Sequence, residues 1–545
     1  MRSFLNRLAL AAAFVLAPIA ALAGSSNTAP IPPAHSAPPP PSSPLAPTRV
    51  GCLSLLSGKV WFRAAGAANW LAAEPNFPVA TGEAVRTDAQ SRATIEIGPH
   101  TLDLAPQSEI DIDALNRKLI ALSLPQGRLY LHLRRPAAEE AVKLAIPGGG
   151  VQLSEPGEYD IATGSQSRPA RIAVFAGDAR FSGGGADTAI APGRTAVITA
   201  AKPPAARLEK AAPDDFDAWA RAQDYRQAKL VSLAYVSPEM TGYAALDGHG
   251  RWQDSTRYGE VWYPDGLPAN WAPFRYGHWR HIAPWGWTWI DDQPWGFAPS
   301  HYGRWALIGN RWGWVPGRPV DDPAYVPAVV AFLGTPGVGL SVANSATPAI
   351  GWFPLAPGEV YWPSYARDLD YVRRLNRGDV ADPARIVFNP DGNPPVEIVT
   401  DRFADRLMAS VVPRPDFVAG HPVAPALLQL PAERLANAPV ITGSPRLGPA
   451  PTPRPEVAVA RAKPAVEGAA KHKPERLAAR YRSARRPIAT RRVAERRVIP
   501  PGRPARFRRR VRAAHLRVPA YAGRTFRARR LVAYHPRRGV RRARR

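Results

Sequence analysis

Tyr276-Gly277-His278-Trp279, Trp285-Gly286-Trp287-Thr288-Trp289-Ile290-Asp291-Asp292, His301-Tyr302-Gly303-Arg304-Trp305 and Trp312-Gly313-Trp314-Val315 all fall within the run Trp252–Trp314, which holds 11 of the chain's 16 tryptophans. Trp285, Trp287 and Trp289 are spaced by two, so a strand carries all three on one face, with Gly286 and Thr288 on the other. Trp312 and Trp314 repeat the arrangement. Tyr276-Gly277-x-Trp279 and Tyr302-Gly303-x-Trp305 lie 26 residues apart, and the two Trp-Gly-Trp elements 27 apart. This spacing predicts a duplicated hairpin. Tyr258-Gly259-Glu260-Val261-Trp262 reads as a looser third copy; its offset of 18 breaks the period and argues against a regular solenoid.

Two uses of these rings compete. A row of indoles is a plate on which the apolar face of a pyranose stacks, while rim hydroxyls bond polar neighbours. Arg275, His278, Asp291, Asp292, His301 and Arg304 are the candidates for those bonds. The ligand class would be cell-wall or capsular glycan, or a peptide. The other use is a core. Burying one Trp removes about 200 Å² from water, worth about 5 kcal/mol. The run has few aliphatics, so most of its indoles must lie inside to offset the cost of ordering it. Only a minority can face a ligand, with Trp285, Trp287 and Trp289 the first candidates.

His278, His281 and His301, with Asp291 and Asp292, invite a metal reading. The surrounding Gly and Pro exclude a helix, and in a strand a spacing of three puts His278 and His281 on opposite faces. No metal or cofactor is expected. Asp291-Asp292 before Pro294 also suits a turn, and no Gly-x-Ser-x-Gly, phosphate loop or nucleophile–base pair stands in a supporting context. The chain is therefore expected not to be an enzyme. The rival is a glycan-processing protein using the Asp291/Asp292 region, which requires carboxyls about 5–9.5 Å apart across a cleft.

Outside this run, residues 49–200 show short alternating apolar runs: Val60-Trp61-Phe62, Ala93-Thr94-Ile95-Glu96-Ile97, Thr101-Leu102-Asp103-Leu104, Glu109-Ile110-Asp111-Ile112, Arg128–Leu133, Arg171–Phe175 and Thr195–Ile198. Period-two runs with turns at Gly148–Gly150 and Gly183–Gly185 predict an all-β domain. Ile95, Ile97, Leu102, Leu104, Ile110 and Ile112 face inward, which leaves Glu96, Asp103 and Asp111 on a solvated face.

Gly82-Glu83-Ala84-Val85-Arg86-Thr87, Ser91-Arg92-Ala93, Gly98-Pro99-His100-Thr101-Leu102-Asp103-Leu104, Ser108-Glu109-Ile110 and Leu124-Pro125-Gln126-Gly127-Arg128-Leu129 resemble the FecR domain. The resemblance implies a β-rich module of the bacterial periplasm. In its best-known setting that domain relays a siderophore-receptor signal to a cytoplasmic sigma factor, through an amino-terminal cytoplasmic segment and one membrane anchor. This sequence opens instead on a signal-peptide pattern, so fold and compartment are implied here, with signal relay as an alternative role. Residues 235–376, through Gly351-Trp352-Phe353-Pro354, resemble an exported proteobacterial domain of unknown function that commonly follows a FecR domain. That family supplies no established activity.

The expected organisation is a signal peptide over 1–23, with Arg2 and Arg7 before the apolar stretch and Ala21-Leu22-Ala23 at the cleavage site. A Pro-rich linker over 24–48 follows, then the FecR-like β domain 49–200 and a linking helix 213–234 capped by Asp214, with Phe216, Trp219 and Ala220 on one face. The aromatic domain 235–376, a Pro/Ala-rich extension 377–450 and a basic disordered tail 451–545 complete it. A short helix within Ala404–Val411 is allowed. The fold class is mainly β. The lone Cys52 permits no intrachain disulfide and no Cys-based metal cluster.

The net charge of +27 belongs to one segment. From Pro451 onward there are 31 Lys/Arg against four acids, while the first 450 residues carry 40 of each sign. Such a segment binds polyanions. Export shifts the partners from nucleic acid to anionic lipids, lipopolysaccharide, acidic polysaccharide or peptidoglycan, with a protein partner through the aromatic domain as a further option. No transmembrane segment is expected after cleavage. The functional expectation is an exported, non-catalytic envelope binding or scaffold protein, periplasmic or secreted.

Overall fold

Alternating aliphatics from Gly51 onward build two nine-stranded sheets. The structure, a computed structural model, describes residues 45–447 apart from 135–139, 166–167, 200–204, 228–229, 336, 342–347, 389–402 and 442. The expected signal peptide, most of the Pro-rich linker and the basic tail lie outside the described residues.

From edge to edge the first sheet runs Ala206–Lys210, Arg194–Ile198, Ala170–Ala176, Gly157–Ala162, Arg128–Leu133, His100–Leu104, Arg92–Ile97, Gly51–Ser57 and Phe77–Val79. The second runs Ala186–Ile190, Ala179–Gly183, Gly149–Leu153, Ala141–Ile146, Leu119–Gln126, Glu109–Leu115, Ala84–Thr87, Val60–Arg63 and Leu71–Ala72. Ala141–Ile146 lies parallel to Leu119–Gln126; the other described ladders of these two sheets are antiparallel. One core fills the space between them, and Ile95, Ile97, Leu102, Leu104, Ile110 and Ile112 all lie in it. The mainly β class holds. The final strand of the first sheet carries this module past residue 200, to Lys210.

The outer face of the first sheet is covered around Glu96 and Asp103, which corrects the expected solvated face there. Asp103 is fully buried and Glu96 is 7% exposed, whereas Asp111 is half-exposed beside Arg63. The cover is the helix Asp215–Gln227 together with the Ser237–Tyr243 segment. Phe216 and Ala220 pack on the outward Tyr130. Asp224 takes a 2.8 Å bond from Arg134. The Gly98 amide donates to Thr241 Oγ1 at 3.0 Å. The helix starts as its cap predicts: Asp214 Oδ1 accepts from the Phe216 and Asp217 amides, and Asp217 Oδ2 accepts from the Asp214 amide. It is shorter than the expected 213–234 and is followed by the 3-10 turn Val231–Ala234.

The aromatic unit holds three further sheets: Gly250–Ser255, Gly259–Pro264, Arg311–Val315 and Arg304–Ile308; the pair Gly277–Ile282 and Gly286–Asp291; and Ser410–Pro413, Ala349–Pro354, Val330–Leu333 and Val440–Ile441. Two strands of the last sheet come from the segment expected to be an extension beyond residue 376, and Phe417 and Val423 enter the same core. The aromatic unit therefore continues to Leu447. The expected helix within Ala404–Val411 is only the 3-10 turn Arg406–Met408, after which the β-branched Val411 and Val412 enter the strand Ser410–Pro413.

The two modules share a core, since Val50, Cys52 and Ala80 pack in the same cluster as the tryptophans. Just before them, carbonyls at the end of the Pro-rich stretch are gripped by the aromatic unit: Ala46 by the Tyr371 hydroxyl, Pro47 by Trp285 Nε1 and Thr48 by the Tyr325 amide.

Candidate functional site

The tryptophan-rich run folds into three hairpins with one motif, Gly-x-Trp on the first strand and a second Trp opposite. The cross-strand pairs are Trp252 with Trp262, Trp279 with Trp289 and Trp305 with Trp314. In each, the glycine two residues before the first Trp lies against the second indole. A Cβ on Gly250 would stand 2.4 Å from Trp262 Cε2, on Gly277 2.6 Å from Trp289 Cζ2, and on Gly303 2.7 Å from Trp314 Nε1. The three glycines are spaced by 27 and 26 residues, so the period is kept. The expected third copy at Tyr258-Gly259 is instead the turn of the first hairpin. The matching copy, Gly250-Arg251-Trp252, was visible in the sequence as Gly-x-Trp. The true correspondence also sets Trp287 and Trp289 against Trp312 and Trp314. Trp285 sits in a three-residue turn that the last hairpin shortens to Gly309-Asn310.

The predicted platform is closed. Trp285, Trp287 and Trp289 are 1%, 2% and 0% exposed, and their indole N–H groups donate to Pro47 O, Leu447 O and Asp291 Oδ2. Trp287 packs on Phe417, and Trp289 on Trp279, Phe274 and Trp352. Both faces of this strand are covered, because the segment after residue 376 and the residues before Arg49 close over it. These rings therefore offer no stacking face to solvent.

The polar candidates are dispersed. Arg275 donates to Asn270 O, Met408 O and Ser410 Oγ. His278 Nε2 lies 2.7 Å from Glu74, which also pairs with Arg280; His281 faces the other way, edge-on to Trp287. Asp291 is turned into the core, where burial pushes its carboxyl up to about 7 against the bonds from Trp289 Nε1 and the Gln293 amide. Asp292 is exposed, its carboxyl raised by partial burial and lowered by His278. The two carboxyls thus face different surroundings. His301 is buried, with Nδ1 2.8 Å from Val326 O. Because that carbonyl must accept, Nδ1 carries the proton, and burial pushes the ring down to about 3. Arg304 is buried and held by Glu359 O, Gly303 O, Asn376 Oδ1 and Asp379.

His301 and Arg304 line a recess of about 30 Å³, water-sized. A wider cleft of about 430 Å³ lies beside it between Arg117 of the β module and Val236–Glu239 and Pro319–Asp321 of the aromatic unit.

Sequence reasoning missed the charged junction between the modules. Arg49 pairs with Glu140 and, at 3.2 Å, with Glu239, while His100 Nε2 meets Glu140 Oε2 at 2.9 Å. The His100 and Glu140 side chains are wholly buried. Burial opposes ionisation of Glu140, but the His100 hydrogen bond and the Arg49 charge hold its carboxyl below the usual range; burial pushes the His100 ring down. Asn76 adds bonds to Asp291 O and Gln293 O. The partners are separated by up to 217 residues, so no local pattern could have indicated them. Among the described residues no three His, Cys, Asp or Glu side chains group as a metal site would.

A model described as a family of unknown function, DUF6600, matches residues 243–359, which span all three hairpins. No curated protein matches the chain. Two crystal structures, at 1.65 and 2.50 Å, of a "putative anti-sigma factor from Parabacteroides distasonis ATCC 8503" align at 7% identity over 34% of this chain and 99% of theirs, with TM-scores of 0.23 and 0.21. At scores this low the likeness supports no inference.

Proposed function

We propose that this chain is an exported, non-catalytic cell-envelope protein: a FecR-like β module and an aromatic unit form its body, and the cationic segment 451–545 contacts anionic envelope polymers or lipids. The observation that carries this reading is the separation of charge, with 31 Lys/Arg against four acids after Pro451 and 40 of each sign before it. The leader pattern at the amino terminus supports export. The buried tryptophans support a structural role for the body's most distinctive residues, which leaves the cationic segment as the strongest candidate for contact. Each Lys/Arg near an anionic membrane surface contributes about 1 kcal/mol, and neutralising a polyanion releases counterions, so attachment should weaken steeply with salt.

Co-sedimentation with anionic vesicles, with lipopolysaccharide and with isolated peptidoglycan tests this, using the full chain and a chain ending at Val457. The full chain should pellet at low salt and be released at high salt, while the shortened chain stays in the supernatant. Equal sedimentation of the two, or of neither, would sink the proposal.

A further inference from the structure

The two nine-stranded sheets end in four edge strands. Phe77–Val79 is mostly buried, Leu71–Ala72 has two residues, and Ala186–Ile190 bears one charge, Asp187, held by Arg180. Ala206–Lys210, at the end of the first sheet, is different. It runs Ala206-Arg207-Leu208-Glu209-Lys210, with Arg207, Leu208 and Lys210 exposed. An exposed edge is a template for another strand, and the hydrogen bonds show which groups it offers. The Thr199 amide donates to Ala205 O at 3.0 Å and the Ala211 amide to Gly193 O at 2.8 Å. With Val197 beside Arg207 and Thr195 beside Glu209, the odd-numbered residues bond inward. The amides and carbonyls of Ala206, Leu208 and Lys210 therefore point away from the sheet. One guard stands there, the exposed Arg194, whose Nη2 lies 3.3 Å from Leu208 O.

We infer that this edge joins a second copy of the chain, strand to strand and antiparallel, about a two-fold axis at Leu208. Outward groups of one strand must meet outward groups of the other, which allows an axis at Arg207, Leu208 or Glu209 for a pairing that uses most of the strand. An axis at Arg207 sets Arg207 against its own mate, and an axis at Glu209 does the same with Glu209. At Leu208, each Arg207 faces Glu209 of the other copy. These are the non-hydrogen-bonded positions, where the strands come closest, at about 4.5 Å between Cα atoms. Ala206 then faces Lys210, and the two Leu208 side chains meet. Leu208 is 40% exposed and lies beside Ala196, on the side of the sheet that faces the core. The pairing covers it.

The charges already present bear on this choice. The last three strands of the sheet carry Arg171, Arg194, Arg207 and Lys210 against Glu209. Glu209 is paired within the chain, to Arg171 at 2.8 Å and to Arg207 at 2.9 Å. The cationic excess opposes self-association, but it is spread out. Lys210 and its mate stand four residues apart, about 13 Å along the strands, beyond the screening length of about 8 Å at physiological salt. Arg194 sits at the same end as Lys210, and Arg171 is two strands in from the edge. Contact distance is left to Arg207 and Glu209, which have opposite signs. A dimer carries two cationic segments, and on the reading proposed above that strengthens attachment to a polyanionic surface.

Sedimentation equilibrium of the full chain at physiological salt, with no vesicle or polymer present, tests the inference. The chain should dimerise. Arg207→Glu and Glu209→Arg should each weaken the dimer by about tenfold or more, because both symmetry-related pairs become like-charged. An equimolar mixture of the two variants should dimerise again, since the acids of one then face the arginines of the other; this also shows that both variants fold. A chain that stays monomeric across its soluble range, a dimer indifferent to both reversals, or a mixture that fails to regain it overturns the inference. Binding of an acidic extended peptide at this edge in place of self-association overturns it likewise. A dimer that sediments with no polyanion contradicts the cationic-segment reading alone, and a monomer that sediments through residues 451–545 contradicts this inference alone.

Discussion

Replacing Gly303 by Ala should destabilise the aromatic unit far more than the same change at Gly309, although both glycines have left-handed backbones, at φ +64 and +54. A non-glycine residue in that region costs about 1–2 kcal/mol, and this applies equally to both. At Gly309 nothing lies within 4 Å of the added Cβ, so the cost ends there. At Gly303 the Cβ would stand 2.4 Å from Val315 O and 2.7 Å from Trp314 Nε1. The carbonyl belongs to the paired strand and cannot retreat, and moving the indole breaks its 2.9 Å bond to Tyr302 O. Overpacking of this kind costs about 1–3 kcal/mol, giving about 2–5 kcal/mol in total against about 1–2 for Gly309→Ala. Chemical denaturation followed by near-ultraviolet circular dichroism of the tryptophans measures both. Equal losses in the two variants would refute the claim that the Gly-x-Trp contact fixes the hairpins.

Trp289→Ala should cost about 3–5 kcal/mol, the usual range for emptying a buried Trp site, whereas Trp252→Ala, half-exposed, should cost clearly less; the same denaturation assay compares them. Glu140→Gln should destabilise the module junction by about 3 kcal/mol, the low end for breaking a buried pair because Glu239 still faces Arg49; limited proteolysis should then cut between the modules. Burial pushes the carboxyls of Asp103 and Glu83 up to about 8. The folded state therefore keeps protons on these two groups that the unfolded chain releases near pH 4, so their contribution to stability is fully present below that pH and is lost as pH rises toward 8. Denaturation midpoints at pH 5 and pH 8 should show this loss, and Asp103→Asn should make it smaller; an unchanged slope in the variant would count against a protonated Asp103.

The β module was legible because its period-two runs have aliphatics on one face, and Ile95, Leu102 and Ile110 all lie where that alternation puts them. The same alternation misplaced Asp103 and Glu96, since a period reports which residues share a face and not what covers the other face. Here the cover arrives from residues 215–243, more than a hundred positions later. The hairpin repeat was half legible. Trp-Gly-Trp is the more conspicuous motif, but the geometry follows Gly-x-Trp, because a glycine's missing Cβ is what admits the opposite indole. The composition of the run correctly indicated a core. It could not show that Ser410–Pro413 and Val440–Ile441 would close it, since Pro-rich sequence around short Val-containing runs carries little strand signal. Nor could it show that the tryptophans left with exposed area would be Trp61, Trp70, Trp219 and Trp252.

Oxidative labelling of the native protein, read residue by residue by mass spectrometry, tests the assignment of the tryptophan-rich run to the core most directly. Trp61, Trp70, Trp219 and Trp252 should react, while Trp285, Trp287 and Trp289 should stay protected until the protein unfolds. Labelling of Trp285, Trp287 or Trp289 in the folded state, at rates matching Trp70, would contradict it.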